Sequence, residues 1–506
     1  MDFAPIIEGF EVVLQPQNLV FCFVGVLVGM VIGVLPGLGP AATIAILLPL
    51  TYGMEPVTAI IMLAGIFYGA IYGGTVTAVL LKLPGETSSA ITVIEGYPMG
   101  QKGEGGKAIG IGAIASFLGG TLAIVALTFV APIVGQWALR FGPPEYAALA
   151  LLGILLVATI SNGTMLKSLV AATLGLMFAV VGRDAFTGEL RYTGGNMDLA
   201  DGLQFVPIAM GVFGLAEILY ALERRHLGQP KPIKVDKVLP TGSDLKQSAA
   251  PMARGGVLGF VLGILPGGGA TVSSMVSYGV EKRVAKDPSR FGKGAIEGIA
   301  GPETANNAAA TSSFIPLLSL GIPANATMAV MFGALMIQGI APGPQLVVNS
   351  PELFWGVINS MYLGNVVLLV LSIPLIGIFV RILYVRSTIL APITILIVCM
   401  GAFTVANRFF EVMVVIVFGI LGYLMKKFGF DPAPLVLAFV LGSLLEDNFR
   451  RSLMMFQGDL SMVTERPIAL SILILFVLVI IVPVVLKIVA ARRGTRTEDL
   501  IGIGPN

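Results

Sequence analysis

The chain has 506 residues, 56% of them hydrophobic and 12% charged, with a formal net charge of +2. Soluble domains carry about 25% charged residues, so this composition predicts a polytopic membrane protein, and the small net charge argues against nucleic-acid binding. One histidine (His226), two cysteines in apolar runs and no GxxxxGK[ST] phosphate loop argue against a histidine metal cluster, a disulfide framework and P-loop ATP hydrolysis.

The N-terminal segment, residues 1–18, is acidic and lacks the basic stretch that opens a cleavable signal peptide. We interpret it as a short amphipathic helix lying in the membrane interface. The first basic residue of the chain is Lys82, so the positive-inside rule predicts that residues 1–57 lie outside.

Two stretches 230 positions apart follow one pattern, GVLVGMVIGVLPGLG at 25–39 and GGVLGFVLGILPGGG at 255–269. Each ends in Pro-Gly-x-Gly, which interrupts a helix because proline lacks a backbone donor and glycine destabilises helices. An arm of about 12 residues spans roughly 18 Å, which is less than the ~30 Å hydrocarbon core. The pattern therefore predicts re-entrant helical hairpins at 20–50 and 253–280.

The charges that flank the two hairpins differ. The second hairpin lies between basic loops at 224–246 and 282–293 and is expected to enter from the cytoplasm. The first has acidic or neutral flanks and is expected to enter from outside. Two similar hairpins that enter from opposite faces form an inverted repeat, an arrangement typical of secondary transporters.

Each hairpin is followed by a second matched interruption, LLKLPGETSSA at 80–90 and LSLGIPANATMA at 318–329. These motifs predict discontinuous transmembrane helices over 58–97 and 296–341. The predicted fold is an all-α polytopic membrane protein with about 11–12 spans, its N-terminus outside and its C-terminus in the cytoplasm. Its parts are a first inverted repeat at 19–222, a cytoplasmic linker at 223–252, a second inverted repeat at 253–490 and a cytoplasmic tail at 491–506.

Four interruptions that meet at mid-depth would build one binding site. Helix N-termini there favour a small carboxylate or phosphate, and carbonyls freed by unwinding can coordinate Na⁺, with candidate positions near Gly37, Gly267, Pro84 and Pro323. The candidate substrate- and ion-binding residues are Pro36, Gly37, Gly39, Pro40, Thr43, Pro84, Gly85, Glu86, Thr87, Ser88, Pro266, Gly267, Gly269, Thr271, Ser273, Ser274, Asn306, Asn307, Pro323, Asn325 and Thr327. No catalytic residue and no cofactor is expected, apart from a coupling ion, Na⁺ or H⁺.

Two further motifs have structural interpretations. Asn306 and Asn307 are preferred over Glu303 as residues that line the site, although a helix cap is an equal alternative for this polar run. The run from Glu446 to Arg451 is interpreted as a local ion-paired turn.

At these motifs the chain resembles the large membrane subunit of the tripartite tricarboxylate transporters, the TctA-type permeases. The matching segments cover nearly the whole chain: PGLGPAATIAILLPLTYGMEP at 36–56, YGGTVTAVLLKLPGETSS at 72–89, EGYPMGQKGEGGKAIG at 95–110, GILPGGGATVSS at 263–274, GPETANNAAATSSFIPLLSLGIPANATMAV at 301–330, GIAPGPQL at 339–346 and LLEDNFRRSLMMFQGD at 444–459.

The resemblance implies a multi-pass protein of the bacterial inner membrane that imports a small carboxylate by Na⁺ or H⁺ symport. The carboxylate could be citrate, another tricarboxylate, a dicarboxylate or an aromatic acid. The resemblance also implies two partners, a small four-helix membrane subunit and a periplasmic solute-binding protein. From the paired hairpins we expect elevator-type alternating access.

Other functions stay open on the residues alone. A carboxylate symporter that works without a binding protein is the nearest alternative, and an ion channel is a more distant one. An intramembrane enzyme is not expected, because the chain contains neither HExxH nor GxSxG. A membrane scaffold would tolerate large side chains at Gly39 and Gly269.

Overall fold

The computed structural model describes residues 4–35, 37–160, 164–223, 233, 235, 238–267, 269–383 and 387–493. This part of the chain is almost entirely helical. Six of its helices are long and apolar enough to cross a membrane, namely Pro16–Gly33, Pro56–Leu81, Gly105–Ala138, Phe205–Glu223, Pro351–Ser372 and Phe409–Lys427. Shorter apolar helices accompany them, which confirms the all-α polytopic class.

In the first half, a short N-terminal helix precedes nine further helices. They are α1 (Ala4–Val13), α2 (Pro16–Gly33), α3 (Pro40–Leu47), α4 (Pro56–Leu81), α5 (Ala90–Gln101), α6 (Gly105–Ala138), α7 (Pro143–Ile160), α8 (Met165–Ala179), α9 (Phe205–Ala209) and α10 (Ala216–Glu223). A π-helical stretch, Met210–Leu215, joins α9 to α10.

The second half begins with two helices separated by a short break, α11 (Gly242–Ile264) and α12 (Gly269–Val284). The remaining helices are α13 (Glu297–Ser312), α14 (Ala326–Ile337), α15 (Pro344–Asn349), α16 (Pro351–Ser372), α17 (Ile376–Ile382), α18 (Ser387–Ala406), α19 (Phe409–Lys427), α20 (Ala433–Met455) and α21 (Pro467–Arg493).

The internal repeat is visible as one packing register used twice. In the first half, the glycines of α2 lie against the α4 backbone, each facing the residue 37 positions later: Gly25 on Met62, Gly29 on Ile66 and Gly33 on Ala70. In the second half, the glycines of α11 lie against α13 at a spacing of 46: Gly255 on Gly301, Gly259 on Ala305 and Gly263 on Ala309. The two spacings differ by nine residues. The second half therefore makes the same contact with nine additional residues between its two helices.

Glycines of α4 also take part in the contact between α2 and α4. A Cβ on Gly69 or Gly73 would collide with the backbone of α2. The glycine rows therefore permit close approach of helix backbones, which is the packing role expected of small residues in membrane helices.

Both discontinuous helices break with the same backbone conformation. The helix α4 ends at Lys82, which adopts the left-handed conformation with φ 59°. The π-helical stretch after α13, Pro316–Leu320, ends at Gly321 with φ 72°. Position 321 is the repeat equivalent of position 82 at the offset of 239 that aligns Leu83-Pro84 with Ile322-Pro323. The chain resumes helical structure at Ala90 and at Ala326.

The expected turn from Glu446 to Arg451 is wrong, because these residues continue α20 to Met455. The expected local ion pair is present within the helix, where Arg450 pairs with Glu446 at 2.8 Å. Further partners come from the polar loop after α8, which contains a small antiparallel strand pair, Gly182–Arg183 and Leu190–Arg191. Arg450 donates to Asp184, and Arg191 donates to Glu446 at 2.7 Å.

The N-terminal helix α1 packs against α16. Asn359 donates its amide to the carbonyl of Ile6 at 2.8 Å, and a Cβ on Gly9 would collide with Trp355. The helix ends at Val13, and residues 16–18 of the expected N-terminal segment belong to α2. The depth of α1 in a membrane stays a prediction.

Candidate functional site

The break between α2 and α3 contacts the first helix interruption, at 82–89. An ideal Cβ on Gly39 would lie 3.7 Å from Cβ of Glu86. Thr77 donates its hydroxyl to the carbonyl of Val34 at 2.7 Å, and Gly85 lies against Gly74. These contacts bring the two interruptions of the first half together.

The residues around the break between α11 and α12 contact the interruptions of both halves. The hydroxyls of Thr87 and Thr271 are hydrogen-bonded at 2.9 Å, which connects this break to the first interruption. Gly267 donates its backbone N–H to the carbonyl of Ala324 at 2.8 Å, which connects it to the second. Because α3 packs against α14, the first hairpin also adjoins the second broken helix. All four interruptions are therefore neighbours.

Four helices begin at these interruptions, namely α3 at Pro40, α5 at Ala90, α12 at Gly269 and α14 at Ala326. Each N-terminus carries a partial positive charge and backbone N–H groups without a helical acceptor. The break motifs themselves hold Lys82 as their one basic residue, so the positive groups at these positions are mainly helix N-termini.

Several of the expected site hydroxyls bond to backbone carbonyls. Thr43 donates to the carbonyl of Gly39 at 3.0 Å, and its repeat equivalent Ser273 donates to that of Gly269 at 2.8 Å. Ser274 donates to Pro302. Threonine and serine inside helices commonly bond to the carbonyl four residues earlier. The hydroxyl hydrogens of Thr43 and Ser273 are therefore already shared with backbone.

The other expected residues have distinct surroundings. Asn325 caps α14, since its side chain accepts from Met328 N–H at 3.0 Å. Gly37 has φ 89°, and an ideal Cβ on it would lie 3.0 Å from the carboxylate of Glu217, which forms an ion pair with Lys426. Pro40 and Pro323 are buried, Pro266 and Thr327 are partly buried, and Pro84 is exposed. Pro36 lies outside the described residues.

A carboxylate that sequence reasoning ranked low lies in the interior beside the interruptions. Glu303 is 1% exposed and accepts hydrogen bonds from Thr75 Oγ1 at 2.9 Å and from Thr92 Oγ1. Thr75 belongs to α4 and Thr92 to α5, so the carboxylate of the second repeat is held by both segments of the first broken helix. Asn307 lies beside it and donates to Ser116 at 2.8 Å.

Asn306 is 1% exposed, yet neither its Oδ1 nor its Nδ2 has a hydrogen-bond partner among the described residues. The Glu86 carboxylate, which accepts from the Ser88 hydroxyl, lies against Gly74, the residue before Thr75. Buried amide groups are nearly always satisfied in proteins, so an orphan amide marks a place where a ligand, ion or water belongs.

Three residues that lie beside the interruptions were not selected from the sequence. Glu303 was considered but ranked below the adjacent asparagines, while Thr75 and Thr92 were not considered. The GPETANN motif drew attention to Glu303. No comparable signal exists for the two threonines, because only the packing of α4 and α5 against α13 turns their hydroxyls toward the carboxylate.

Comparison with known proteins agrees with the fold and with these motifs. The model of the tripartite tricarboxylate transporter TctA family matches residues 19–437. An uncharacterized 52.8 kDa protein from the TAR-I ttuC' 3' region of Agrobacterium vitis is 46% identical over 491 residues, covering 97% of this chain and 98% of that protein.

A second uncharacterized protein, from the TAR-II ttuC' 3' region of the same organism, is 47% identical over 241 residues, covering 48% of this chain and 100% of its own length. No solved structure matches the chain. The family model covers most of the sequence, including both hairpins and both discontinuous helices. The chain therefore belongs to the TctA family, the large membrane subunits of tripartite tricarboxylate transporters.

Proposed function

We propose that this protein is the permease subunit of a secondary transporter that imports a small organic carboxylate together with a cation. The observation that carries the proposal is the meeting of four helix interruptions, with the N-termini of α3, α5, α12 and α14 around them. Backbone N–H groups and helix dipoles at such ends bind carboxylates without a basic side chain.

The charges around the interruptions support cation coupling. Glu86 and Glu303 lie beside the same centre, so an anionic substrate would add negative charge to a region that already contains two carboxyl groups. A co-transported cation, Na⁺ or H⁺, offsets that charge. Freed backbone carbonyls near Gly37, Gly267, Pro84 and Pro323 are candidate Na⁺ ligands.

We further propose that the two hairpins and two discontinuous helices move together against the remaining helices, as in an elevator-type carrier. The support is the packing of α2 on α4 and of α11 on α13 through backbone-to-backbone glycine contacts, which makes each hairpin a rigid unit with its broken helix. Hairpins that enter from opposite faces would expose the centre to each side in turn.

The family assignment supports two partners, because a tripartite transporter has three components. We propose a small four-helix membrane subunit and a periplasmic binding protein that delivers the carboxylate. The proposed location is the bacterial inner membrane, with the N-terminus outside and the C-terminus in the cytoplasm. The distribution of basic residues supports this orientation.

The test is uptake by the complete three-component system in proteoliposomes, with labelled citrate as the first probe and a dicarboxylate and benzoate as further probes. Uptake is measured under an inward Na⁺ gradient, an inward proton gradient and no gradient. The proposal predicts saturable uptake that one of the two gradients accelerates. Equal rates under all three conditions would refute symport, and full uptake without the binding protein would favour the stand-alone carrier.

A further inference from the structure

We propose that Glu303 and Glu86, one from each half of the chain, form the binding site of the coupling cation, with the side-chain oxygen of Asn306 as a third ligand. This inference rests on the cation symport proposed above and names the residues that would carry it.

The first argument is electrostatic. Within the described residues, no Lys or Arg nitrogen lies within 4.0 Å of the Glu303 or Glu86 carboxylate. The partners of Glu303 are two hydroxyls, and hydroxyls do not neutralise a charge. Carboxylates inside a membrane protein pair with a cation or line an ion pathway, because an isolated buried charge is unstable. A bound Na⁺ or proton supplies the missing positive charge.

The second argument is the orphan amide. Asn306 lies one helical turn after Glu303 on α13. An ideal Cβ on Gly74 would lie 3.2 Å from Cγ of Glu86, and the next residue, Thr75, donates to Glu303 at 2.9 Å, so α4 brings the two carboxylates close together. The Oδ1 of Asn306 is buried and accepts no hydrogen bond from the described residues. A cation between the carboxylates would satisfy that oxygen, which nothing else in the described part of the chain does.

The third argument is the chemistry of the ligand set. The polar atoms around this position are oxygens, from the carboxylates, the Asn306 amide and the hydroxyls of Thr75 and Thr92. Hard cations such as Na⁺ prefer oxygen ligands. A proton would instead reside on Glu303 and donate to one of the neighbouring oxygens.

The surrounding titratable groups do not replace such a cation. Tyr72 of α4, three residues before Thr75, is a buried phenol and not a cation. On the side of α11 and α12, Arg254 already forms an ion pair with Glu281 at 2.5 Å, next to Gly301. Glu95 of α5 lies near Gly298 and is satisfied by Tyr278 and the backbone N–H groups of Gly292, Gly294 and Ala295.

The hairpin-tip carbonyls are weaker candidates than these carboxylates. The carbonyls of Gly39 and Gly269 each accept a hydroxyl, and that of Ala324 accepts the N–H of Gly267. They therefore retain fewer free lone pairs and carry no formal charge, whereas Glu303 needs neutralisation.

The test uses the purified full chain in detergent, with Na⁺ and H⁺ themselves as probes and no carboxylate substrate present. The thermal unfolding midpoint is measured in NaCl and in KCl at equal ionic strength, at pH 6 and at pH 8. A sodium site predicts that the wild type unfolds about 2 °C or more higher in NaCl. A proton site predicts a higher midpoint at pH 6 than at pH 8, with no preference for Na⁺.

The variants Glu303→Gln and Glu86→Gln should reduce whichever of the two effects the wild type shows, and Glu303→Gln should abolish it. Glu55→Gln, at the exposed start of α4, serves as the matched control and should keep the full effect. If Glu303→Gln does not fold, Asn306→Ala and Glu86→Gln decide the question, and both should weaken the effect.

Two results would overturn the proposal. One is a wild type whose stability responds to neither ion, and the other is a set of folded variants at positions 303, 86 and 306 that respond as the wild type does. Because the assay contains no substrate, either result refutes the site alone. Gradient-independent uptake by the three-component system would refute the symport itself.

Discussion

At several positions in this protein, close contact between helix backbones determines which residue type is tolerated. The glycine rows of α2 and α11 show the principle, because each glycine sits where any Cβ would overlap a main-chain carbonyl of the adjacent helix. A collision with backbone is expensive, since a helix cannot rotate away as a flexible side chain can. Gly279 of α12 faces open space and provides an internal control.

Gly259→Ala is expected to destabilise the protein by about 1–3 kcal/mol, because the new methyl group would overlap the Ala305 backbone across α11 and α13. Gly279→Ala, in α12 of the same hairpin, has no atom within 4 Å of an ideal Cβ and should be neutral or stabilising by helix propensity. Thermal unfolding in detergent compares the two. Equal losses would contradict the backbone-contact explanation.

The carboxylate of Asp184 is a second residue whose role can be measured. Backbone N–H groups of Thr187 and Phe186 and the Arg450 guanidinium hold the pKa of this carboxyl below its usual range. The ionised form of Asp184 is therefore more strongly favoured in the folded state than in the unfolded state. This stabilisation is present above the unfolded-state pKa of about 3.9 and is lost as the pH falls through the lower folded-state value.

Asp184→Asn should consequently lower the unfolding midpoint at pH 7, and the difference from the wild type should shrink in acid. Asp201→Asn, at an exposed position after the same strand pair, is the control and should leave the midpoint unchanged. A difference between Asp184→Asn and the wild type that stays constant down to acid pH would argue against an ionic role for Asp184.

Helices and their interruptions follow from local chemistry to different degrees. The Pro-Gly motifs predicted where α2, α4 and α11 end, and the Gly-Ile-Pro-Ala motif predicted where the π-helical stretch after α13 ends, because proline and glycine act within one turn of the chain. The extent of α20 could not be predicted in the same way. The sequence of its charged residues suggests a turn. Two of their partners, Asp184 and Arg191, lie over 250 positions away, and local sequence does not show this pairing.

The two left-handed positions that end the broken segments permit a comparison between repeats. Gly321→Ala should destabilise by about 1–3 kcal/mol, because φ is 72° and a Cβ would lie 2.6 Å from the carbonyl of Pro342. Lys82 already carries a Cβ at the equivalent place. Lys82→Ala should therefore destabilise the protein by less than about 1 kcal/mol, mainly because the cation–π contact with the Tyr97 ring is lost. A larger loss for Lys82→Ala, measured by unfolding in detergent, would contradict this assignment.

At the scale of the whole molecule, the repeat could be recognised from the sequence, but not all residues of the candidate site could be predicted. Matching motifs predicted four interruptions, and the structure places them in mutual contact. The positions of Glu303, Thr75 and Thr92 depend on how α13 packs between the segments of the other half, a long-range arrangement that no local pattern encodes. Hydroxyls at 43 and 273 were expected to face the substrate, and their bonds to backbone became visible only with the helices in place.

The meeting of the interruptions is the central claim, and a cysteine pair at Thr87 and Thr271 tests it most directly. These hydroxyls are 2.9 Å apart although they belong to different halves of the chain. In a background where Cys22 and Cys399 are replaced by alanine, mild oxidation of Thr87→Cys/Thr271→Cys is predicted to give a disulfide in high yield. The disulfide should stop uptake by the three-component system until a reductant is added. A folded double variant that forms no disulfide, like a control pair at Thr87 and Ser243, would contradict the account.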